Sequence, residues 1–233
     1  MNYKELVKRY LTMLIGILVL CFGIAFVTKA NLGTSPISSI PYTMSMILSG
    51  FTMGNFTAMI NILLIIFEWM LLRNKTGADV GRGSAKAVTW TELAIQFLLS
   101  FAMGAGIDLS MALLVNLHPT IYWMKLIFAL VGCAIMALGV YIQLSANVAM
   151  AAGDAFARAI TVASGKPYNV MRTISDASMV AIAAILCIVF LGNLAGVREG
   201  TVICALMTGN FVKLYKKLFG RWTDKFFDVN NTK

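Results

Sequence analysis

The sequence predicts an all-α integral membrane protein with six transmembrane helices, built as two inverted three-helix repeats that each contain a re-entrant half-helix. Of its 233 residues, 59% are hydrophobic and 12% are charged, whereas a soluble domain has roughly 25% charged residues. Uncharged runs such as 30–67 and 126–153 exceed the roughly 20 apolar residues that a membrane-spanning helix needs. The segment from Gly23 to Asn31 is nearly repeated from Gly139 to Asn147, and such duplication is typical of secondary transporters.

The chain is predicted to form a single membrane domain, 1–233, in which each repeat contributes three spans. The first repeat covers 9–116 and the second covers 121–216. The residues after the second repeat, 217–233, alternate basic with apolar side chains, which predicts a cytoplasmic amphipathic tail that lies on anionic lipid. The predicted spans, which share a mostly apolar sequence, are 10–29, 55–73, 91–116, 121–145, 168–191 and 195–216.

Two shorter apolar segments, 36–50 and 152–165, are predicted to be half-helices. The first is preceded by Thr34-Ser35-Pro36, the second contains Gly153-Asp154 near its beginning, and both end on Ser-Gly. These residues are typical of helix starts and stops. At ~1.5 Å per residue each segment is roughly 20 Å long, which is too short for a hydrocarbon core of ~30 Å.

The distribution of basic residues predicts the orientation in the membrane. With six spans and both termini cytoplasmic, sixteen of the 19 lysines and arginines lie on the cytoplasmic side and three lie outside, in agreement with the positive-inside rule. The same distribution accounts for the net charge of +9 without nucleic-acid binding. Because three spans reverse the direction of the chain, the two repeats have opposite orientations, and the half-helix N-termini are expected to meet near the bilayer midplane.

An enzymatic function is not expected. The chain contains no His-Glu-x-x-His, Gly-x-Ser-x-Gly or Gly-x-x-x-x-Gly-Lys motif, and these motifs are typical of proteases, hydrolases and ATPases. The four cysteines lie in apolar runs without short spacings. We therefore expect buried thiols, with no disulfide and no zinc site, and we expect no cofactor or other metal.

The start of the first half-helix is a candidate anion site. Gly33, Thr34 and Ser35 supply a permissive backbone, free amides and two hydroxyl groups at this position. A helix N-terminus favours carboxylate or phosphate groups, although an ordinary helix cap without a ligand explains the same residues. Asn31 and Asn147 are polar residues within apolar surroundings, and such residues either join helices or line a cavity.

The start of the second half-helix carries charge. Gly153 and Asp154 lie there, and Arg158 follows one helical turn later. Asp154 is interpreted either as a helix cap paired with Arg158 or as a group that binds a coupling proton, a cation or the amine of a substrate. The two interpretations weigh about equally, because caps are common and acids inside membrane proteins are not.

The predicted fifth span contains a further charged pair, Arg172 and Asp176. At positions i and i+4 they share one face of a helix and can neutralise each other as a structural ion pair. The alternative is that Arg172 holds a substrate anion through its fork of donors while Asp176 tunes or releases it. Glu68 and Glu92 lie toward the ends of predicted spans and are expected at the membrane interface.

At these motifs the chain resembles the YczE/YyaS/YitT group of bacterial multi-pass membrane proteins, and especially its YczE-like branch. The group often has an acid where this chain has Ser38, so the two half-helix starts differ chemically. The resemblance implies a multi-pass protein of the bacterial inner (plasma) membrane and leaves the substrate open. The motifs that carry it are Gly33 to Pro36, Gly153-Asp154 with Arg158, Arg172-Thr173 with Asp176, and the run from Gly200 to Gly209.

Together these observations predict a secondary transporter of a small polar metabolite that bears an anionic group, such as an amino acid or an organic acid. The substrate is expected near the bilayer midplane, between the two half-helix N-termini. A channel-like facilitator and a non-transporting membrane scaffold or accessory subunit are the alternatives. The expected partners are a small-molecule substrate and the lipid bilayer, with assembly into a homo-oligomer left open.

Overall fold

The computed structural model describes residues 3–73 and 90–227, and every regular element in these two ranges is helical. This confirms the all-α fold class. The elements in chain order are α1 (Tyr3–Lys29), a 3-10 turn (Pro36–Ser38), α2 (Ser39–Ile47), α3 (Met53–Leu72), α4 (Trp90–Leu113), α5 (Tyr122–Ala146), α6 (Ala152–Ser164), α7 (Tyr168–Leu186) with a π-helical continuation (Cys187–Leu191), and α8 (Glu199–Phe226).

Five helices of the described chain are long and apolar enough to cross a membrane, namely α1, α3, α4, α5 and α7 with its π-helical continuation. They coincide with five of the six predicted spans, and the protein is a helical membrane protein. The predicted sixth span, 195–216, lies on α8, whose glutamate and lysines lower its apolar character. The helix α8 continues without a break to Phe226, so the predicted tail prolongs α8 up to that residue. The last residues of the tail, 228–233, lie outside the described ranges.

The element order repeats once along the chain. A long helix, a short helical segment and two long helices are followed by the same series again. The short segments are the 3-10 turn with α2, and α6, which has 13 residues. Each is roughly 20 Å long and thus shorter than the ~30 Å hydrocarbon core. The helix α6 ends at Gly165, whose φ of 69° lies in the left-handed region that favours glycine.

The chain divides into two compact units, and each combines helices from both predicted repeats. Among the described residues, the first unit contains 3–35, 106–148 and 198–227, and its main helices are α1, α5 and α8. The long contact between α1 and α5 uses glycines. A Cβ atom on Gly23 would meet the backbone of Met136, and one on Gly139 would meet the backbone of Leu20. Glycine thus lets the two backbones approach closely, as in many membrane helix pairs.

A disulfide bond and noncovalent contacts join α5 to α8. Cys133 and Cys204 form the disulfide, and the hydroxyl groups of Tyr141 and Thr223 lie 2.9 Å apart. The disulfide corrects the expectation of buried free thiols. The two cysteines are 71 residues apart in sequence, so only the packing of α5 on α8 brings them together.

Among the described residues, the second unit contains 36–73, 90–105 and 149–197. Within it α3 packs on α6, α2 packs on both α3 and α7, and α6 packs on α7. A buried apolar cluster joins α2, α3 and α7. Its buried members are Ile40, Leu64, Met179 and Ala183.

Candidate functional site

The starts of the two short helical segments touch each other in the second unit. A Cβ atom built on Gly153, in the first turn of α6, would collide with the side chain of Ile37 in the 3-10 turn. Glycine at this position therefore lets the start of one short helix approach the start of the other. The expectation that these helix starts meet near the bilayer midplane, as the ends of two inverted half-helices, stays a prediction.

The polar groups just before the 3-10 turn are engaged inside the first unit. The Thr34 hydroxyl lies 2.9 Å from that of Thr28 on α1, and the Thr34 amide donates to Thr201 Oγ1 on α8 at 3.3 Å. Gly33 has a φ of 101°, and a Cβ atom there would meet Thr201 Oγ1. Ser35 is buried. The expectation of free amides is thus corrected for Thr34, because α8 supplies an acceptor that local sequence does not reveal.

Asn31 and Asn147 share an unusual backbone conformation. Their φ angles are 56° and 48°, in the left-handed region that asparagine tolerates better than most residues other than glycine. Asn147 caps the end of α5, and Asn31 follows the end of α1. The sequence repeat therefore corresponds to the same helix-ending conformation in both halves of the chain.

Arginines lie at these two helix ends. Arg9 donates to the Ala146 carbonyl at 3.3 Å, and Arg198 donates to the Asn31 carbonyl at 3.5 Å. A cation at a helix C-terminus is favoured by the partial negative charge of the last carbonyl groups. The five predicted site residues of the first unit (Asn31, Gly33, Thr34, Ser35 and Asn147) thus lie at or just after helix ends, and Gly33 and Thr34 also contact Thr201 of α8.

Apart from Gly153, the remaining predicted site residues form ion pairs in the second unit, in two groups that each include a residue of α6 and that together we call the charge cluster. Arg172 on α7 forms an ion pair with Asp154 on α6, and its Nε atom lies 3.3 Å from Asp176 Oδ2. The predicted pair between positions i and i+4 of α7 is therefore present. The members of the charge cluster are Glu68 on α3, Glu92 on α4, Asp154 and Arg158 on α6, and Arg172 and Asp176 on α7.

The pairing of Arg158 differs from the prediction. Its Nη2 atom lies 3.3 Å from Glu68 Oε1 and 3.8 Å from Glu92 Oε2, and the ion-pair partner of Asp154 is Arg172. Asp154 is also not the N-cap of α6, since Ala151 occupies that position. Packing explains the difference, because α3 and α7 bring oppositely charged groups to both residues of α6.

The charge cluster has a deep end and an accessible end. The Glu68 side chain has no exposed surface, and Arg158 is 19% exposed. Asp154, Arg172, Asp176 and Glu92 are between one-fifth and one-third exposed. The cluster contains two more carboxylates than guanidinium groups. Among the described residues, no group of three or more histidine, cysteine or acidic side chains is arranged to hold a metal ion.

Glu68 is the functional candidate that sequence reasoning missed. It was expected at the membrane interface and given no role, and the structure pairs its fully buried side chain with Arg158. A signal was available in the sequence, since Glu68 is the single charged residue between Ala30 and Leu72. An acid in such an apolar stretch is expensive to keep and is often functional.

Comparison with known proteins tests the resemblance to the YczE/YyaS/YitT group. A family model described as "Family of unknown function (DUF6198)" matches residues 7–217. The chain is also 26% identical to the uncharacterized protein YyaS of Bacillus subtilis (strain 168). The alignment extends over 217 residues and covers 91% of this chain and 94% of YyaS. No solved structure matches the chain. The match to YyaS confirms the predicted resemblance to a YyaS-like family.

Proposed function

The chain belongs to the family of unknown function DUF6198, and we propose that it is a secondary transporter of a small polar metabolite that bears an anionic group. An amino acid or an organic acid fits this description. The observation that carries the proposal is the charge cluster, which lies in an otherwise apolar helical protein and includes Asp154 in the first turn of α6. A charged side chain at the centre of a membrane costs about 2.5–3.5 kcal/mol or more. A cluster of such groups is therefore a candidate substrate-binding site.

In this proposal Arg172 binds the anionic group of the substrate. Its guanidinium is 34% exposed, which leaves it within reach of a ligand, and its planar fork matches a carboxylate. In the absence of substrate, Asp154 and Asp176 neutralise it. A substrate carboxylate replaces one of these acids, and the released acid is then available to a substrate amine.

The short helical segments supply the second element of the proposal. The N-terminus of a helix carries about half a positive charge and attracts anions. Gly153 and Ile37 bring the starts of the two short segments together, and broken or shortened helices that meet in this way are typical of transporter binding sites. We assign the five predicted residues of the first unit to the helix breaks of the fold rather than to direct substrate contacts.

We further propose that α8 is a sixth span, that the two halves of the chain are inverted repeats, and that both termini are cytoplasmic in the bacterial inner membrane. The twofold element order and the distribution of basic residues support this. Labelling with a membrane-impermeant maleimide tests it. Lys125→Cys should react in intact cells and Lys166→Cys only after lysis, and the reverse pattern would rule the topology out.

The transport proposal is tested with purified full-length protein in liposomes that are supplied with labelled amino acids and organic acids. We expect saturable uptake that Arg172→Ala abolishes and Arg172→Lys reduces. Arg198→Ala is the matched control, because Arg198 is similarly exposed, at 41%, and forms its ion pair with Glu199 outside the charge cluster. Uptake that does not saturate would identify a facilitator. Absence of uptake, together with absence of thermal stabilisation by any of these compounds, would reject transport of this substrate class and favour the scaffold alternative.

A further inference from the structure

Glu68 leaves one buried oxygen atom without a hydrogen-bond donor. Its Oε1 atom accepts from Arg158 at 3.3 Å, while its Oε2 atom is buried and has no hydrogen-bond partner. The side chain has no exposed surface, so bulk water cannot supply the missing donor. A buried acceptor left without a partner costs about 1–3 kcal/mol, and each such group in a folded protein calls for an explanation.

A second unpartnered oxygen belongs to the neighbouring side chain. Gln96 on α4 lies within hydrogen-bonding reach of Glu68, is only 2% exposed, and its Oε1 atom has no donor. The Gln96 amide has an NH2 group that can donate to the Glu68 carboxylate, but its Oε1 atom only accepts, so a charged carboxylate cannot satisfy it. A proton on Glu68 changes this, because a protonated carboxyl group is a donor as well as an acceptor.

The balance of charge around Arg158 also favours a proton on Glu68. The charged groups that face Glu68 are Arg158 from α6 and Glu92 from α4, so two carboxylates share one guanidinium. When Glu68 carries a proton, Arg158 is left with a single counter-ion, Glu92. Between the two acids, Glu68 is the one with no access to solvent, and an ion that loses all its hydration is the more expensive to keep charged.

We propose that Glu68 is the proton-binding site of the transport cycle, with the proton held on Oε2 and donated toward Gln96. The reaction is a simple protonation, in which one carboxylate and one proton give one carboxyl group. Glu92, which is one-third exposed and close to Arg158, is the route by which the proton reaches Glu68. This inference rests on the proposed transport function and assigns its coupling ion.

The helix α6 links the proton site to the proposed anion site. Asp154 and Arg158 are four residues apart on α6, where Asp154 pairs with Arg172 and Arg158 pairs with Glu68. When a substrate anion displaces Asp154 from Arg172, α6 is free to move, and the contact between Arg158 and Glu68 changes with it. Binding of a proton and binding of an anion are therefore coupled through one short helix.

Infrared spectroscopy of the purified full-length protein tests the site without any substrate. We expect the C=O band of a protonated carboxyl group at neutral pH, present in wild type, absent in Glu68→Gln, and weakened in Glu92→Gln because Glu68 is then the remaining counter-ion of Arg158. In case Glu68→Gln does not fold, Gln96→Leu gives a second measurement, in which the band persists but moves to higher frequency because the acceptor is gone. Absence of the band in wild type, or its persistence in folded Glu68→Gln, overturns the inference. A band that depends on sodium rather than choline as the salt cation overturns it as well.

Uptake then distinguishes failure of this inference from failure of the transport proposal. In liposomes with an inward proton gradient, Glu68→Gln is expected to lose the stimulation by the gradient while it keeps exchange of labelled for unlabelled substrate. Full stimulation in Glu68→Gln would refute the proton role and leave transport intact. A carboxyl band at Glu68 in a protein that transports none of the compounds would support the proton site and reject transport of this substrate class.

Discussion

Arg158 Nη2 lies 3.3 Å from Glu68 Oε1 and so ties α6 to the last turns of α3 through a carboxyl group that has no exposed surface. Removing one partner of a buried ion pair leaves the other uncompensated, which typically costs 3–5 kcal/mol, whereas replacing both with apolar groups is often neutral. The stability of the second unit should therefore depend on this pair.

For Arg158→Met we expect a loss of about 3 kcal/mol at alkaline pH, where Glu68 has released the proton that it carries at neutral pH. The loss should shrink as the pH falls, because a proton on Glu68 then removes the charge that Arg158 had balanced. The double variant Arg158→Met with Glu68→Met should recover most of the lost stability. Thermal unfolding in detergent at several pH values measures all three proteins, and a loss that is independent of pH would contradict the explanation.

The contact between Gly153 and Ile37 predicts a steric effect. Gly153→Ala places a methyl group where the Ile37 side chain lies, and overpacking of this kind costs roughly 1–3 kcal/mol. Ile37→Ala in the same chain should restore part of the stability, since it removes the colliding atoms. Gly50→Ala is the matched control, because its added methyl group meets no atom within 4 Å. Equal stability of the Gly153 and Gly50 variants would show that the two short helices do not meet here.

Asn31 and Asn147 should respond to substitution in the same way. Both have a positive φ, which costs roughly 1–2 kcal/mol for residues other than glycine, asparagine and aspartate. We expect Val at either position to lower stability by about this amount, and Gly to be tolerated. Unfolding temperatures of the four single variants provide the test. A valine that is tolerated at one position would show that the two helix ends differ.

The disulfide between Cys133 and Cys204 predicts a simple chemical result. In the unfolded protein without a reductant, alkylation should modify Cys21 and Cys187, which are not part of the disulfide, and reduction should expose the other two thiols. Intact mass spectrometry counts the added groups. Replacing both Cys133 and Cys204 with serine should lower stability by about 2–4 kcal/mol. Four reactive thiols before reduction would show that the bond does not form.

Much of the fold could be predicted because membrane helices are recognised by local composition. Five of the predicted spans match long apolar helices, and the two short segments begin close to where the Pro36 and Gly153 motifs placed them. Helix length and apolar content belong to a segment by itself, so neighbours change them little. The repeated asparagines likewise signalled two helix ends, since their backbone preference is local.

The partners of the polar groups could not be predicted in this way. Asp154 and Arg158 are one helical turn apart, so the sequence predicts an ion pair between them. In the structure Arg158 pairs with Glu68 of α3, and Asp154 pairs with Arg172 of α7. Glu68 read as an interfacial residue, and the packing of α6 on α3 buries it.

The sequence by itself determined which segments leave water and where the helices are too short to cross a bilayer, because hydrophobicity and helix-ending residues act over a few neighbouring positions. Only the tertiary structure decided that Arg158 meets Glu68, that Thr34 meets Thr201, and that Cys133 meets Cys204. A polar group withdrawn from water must find its partner among the side chains that packing brings within about 3 Å. That choice depends on which helices are neighbours.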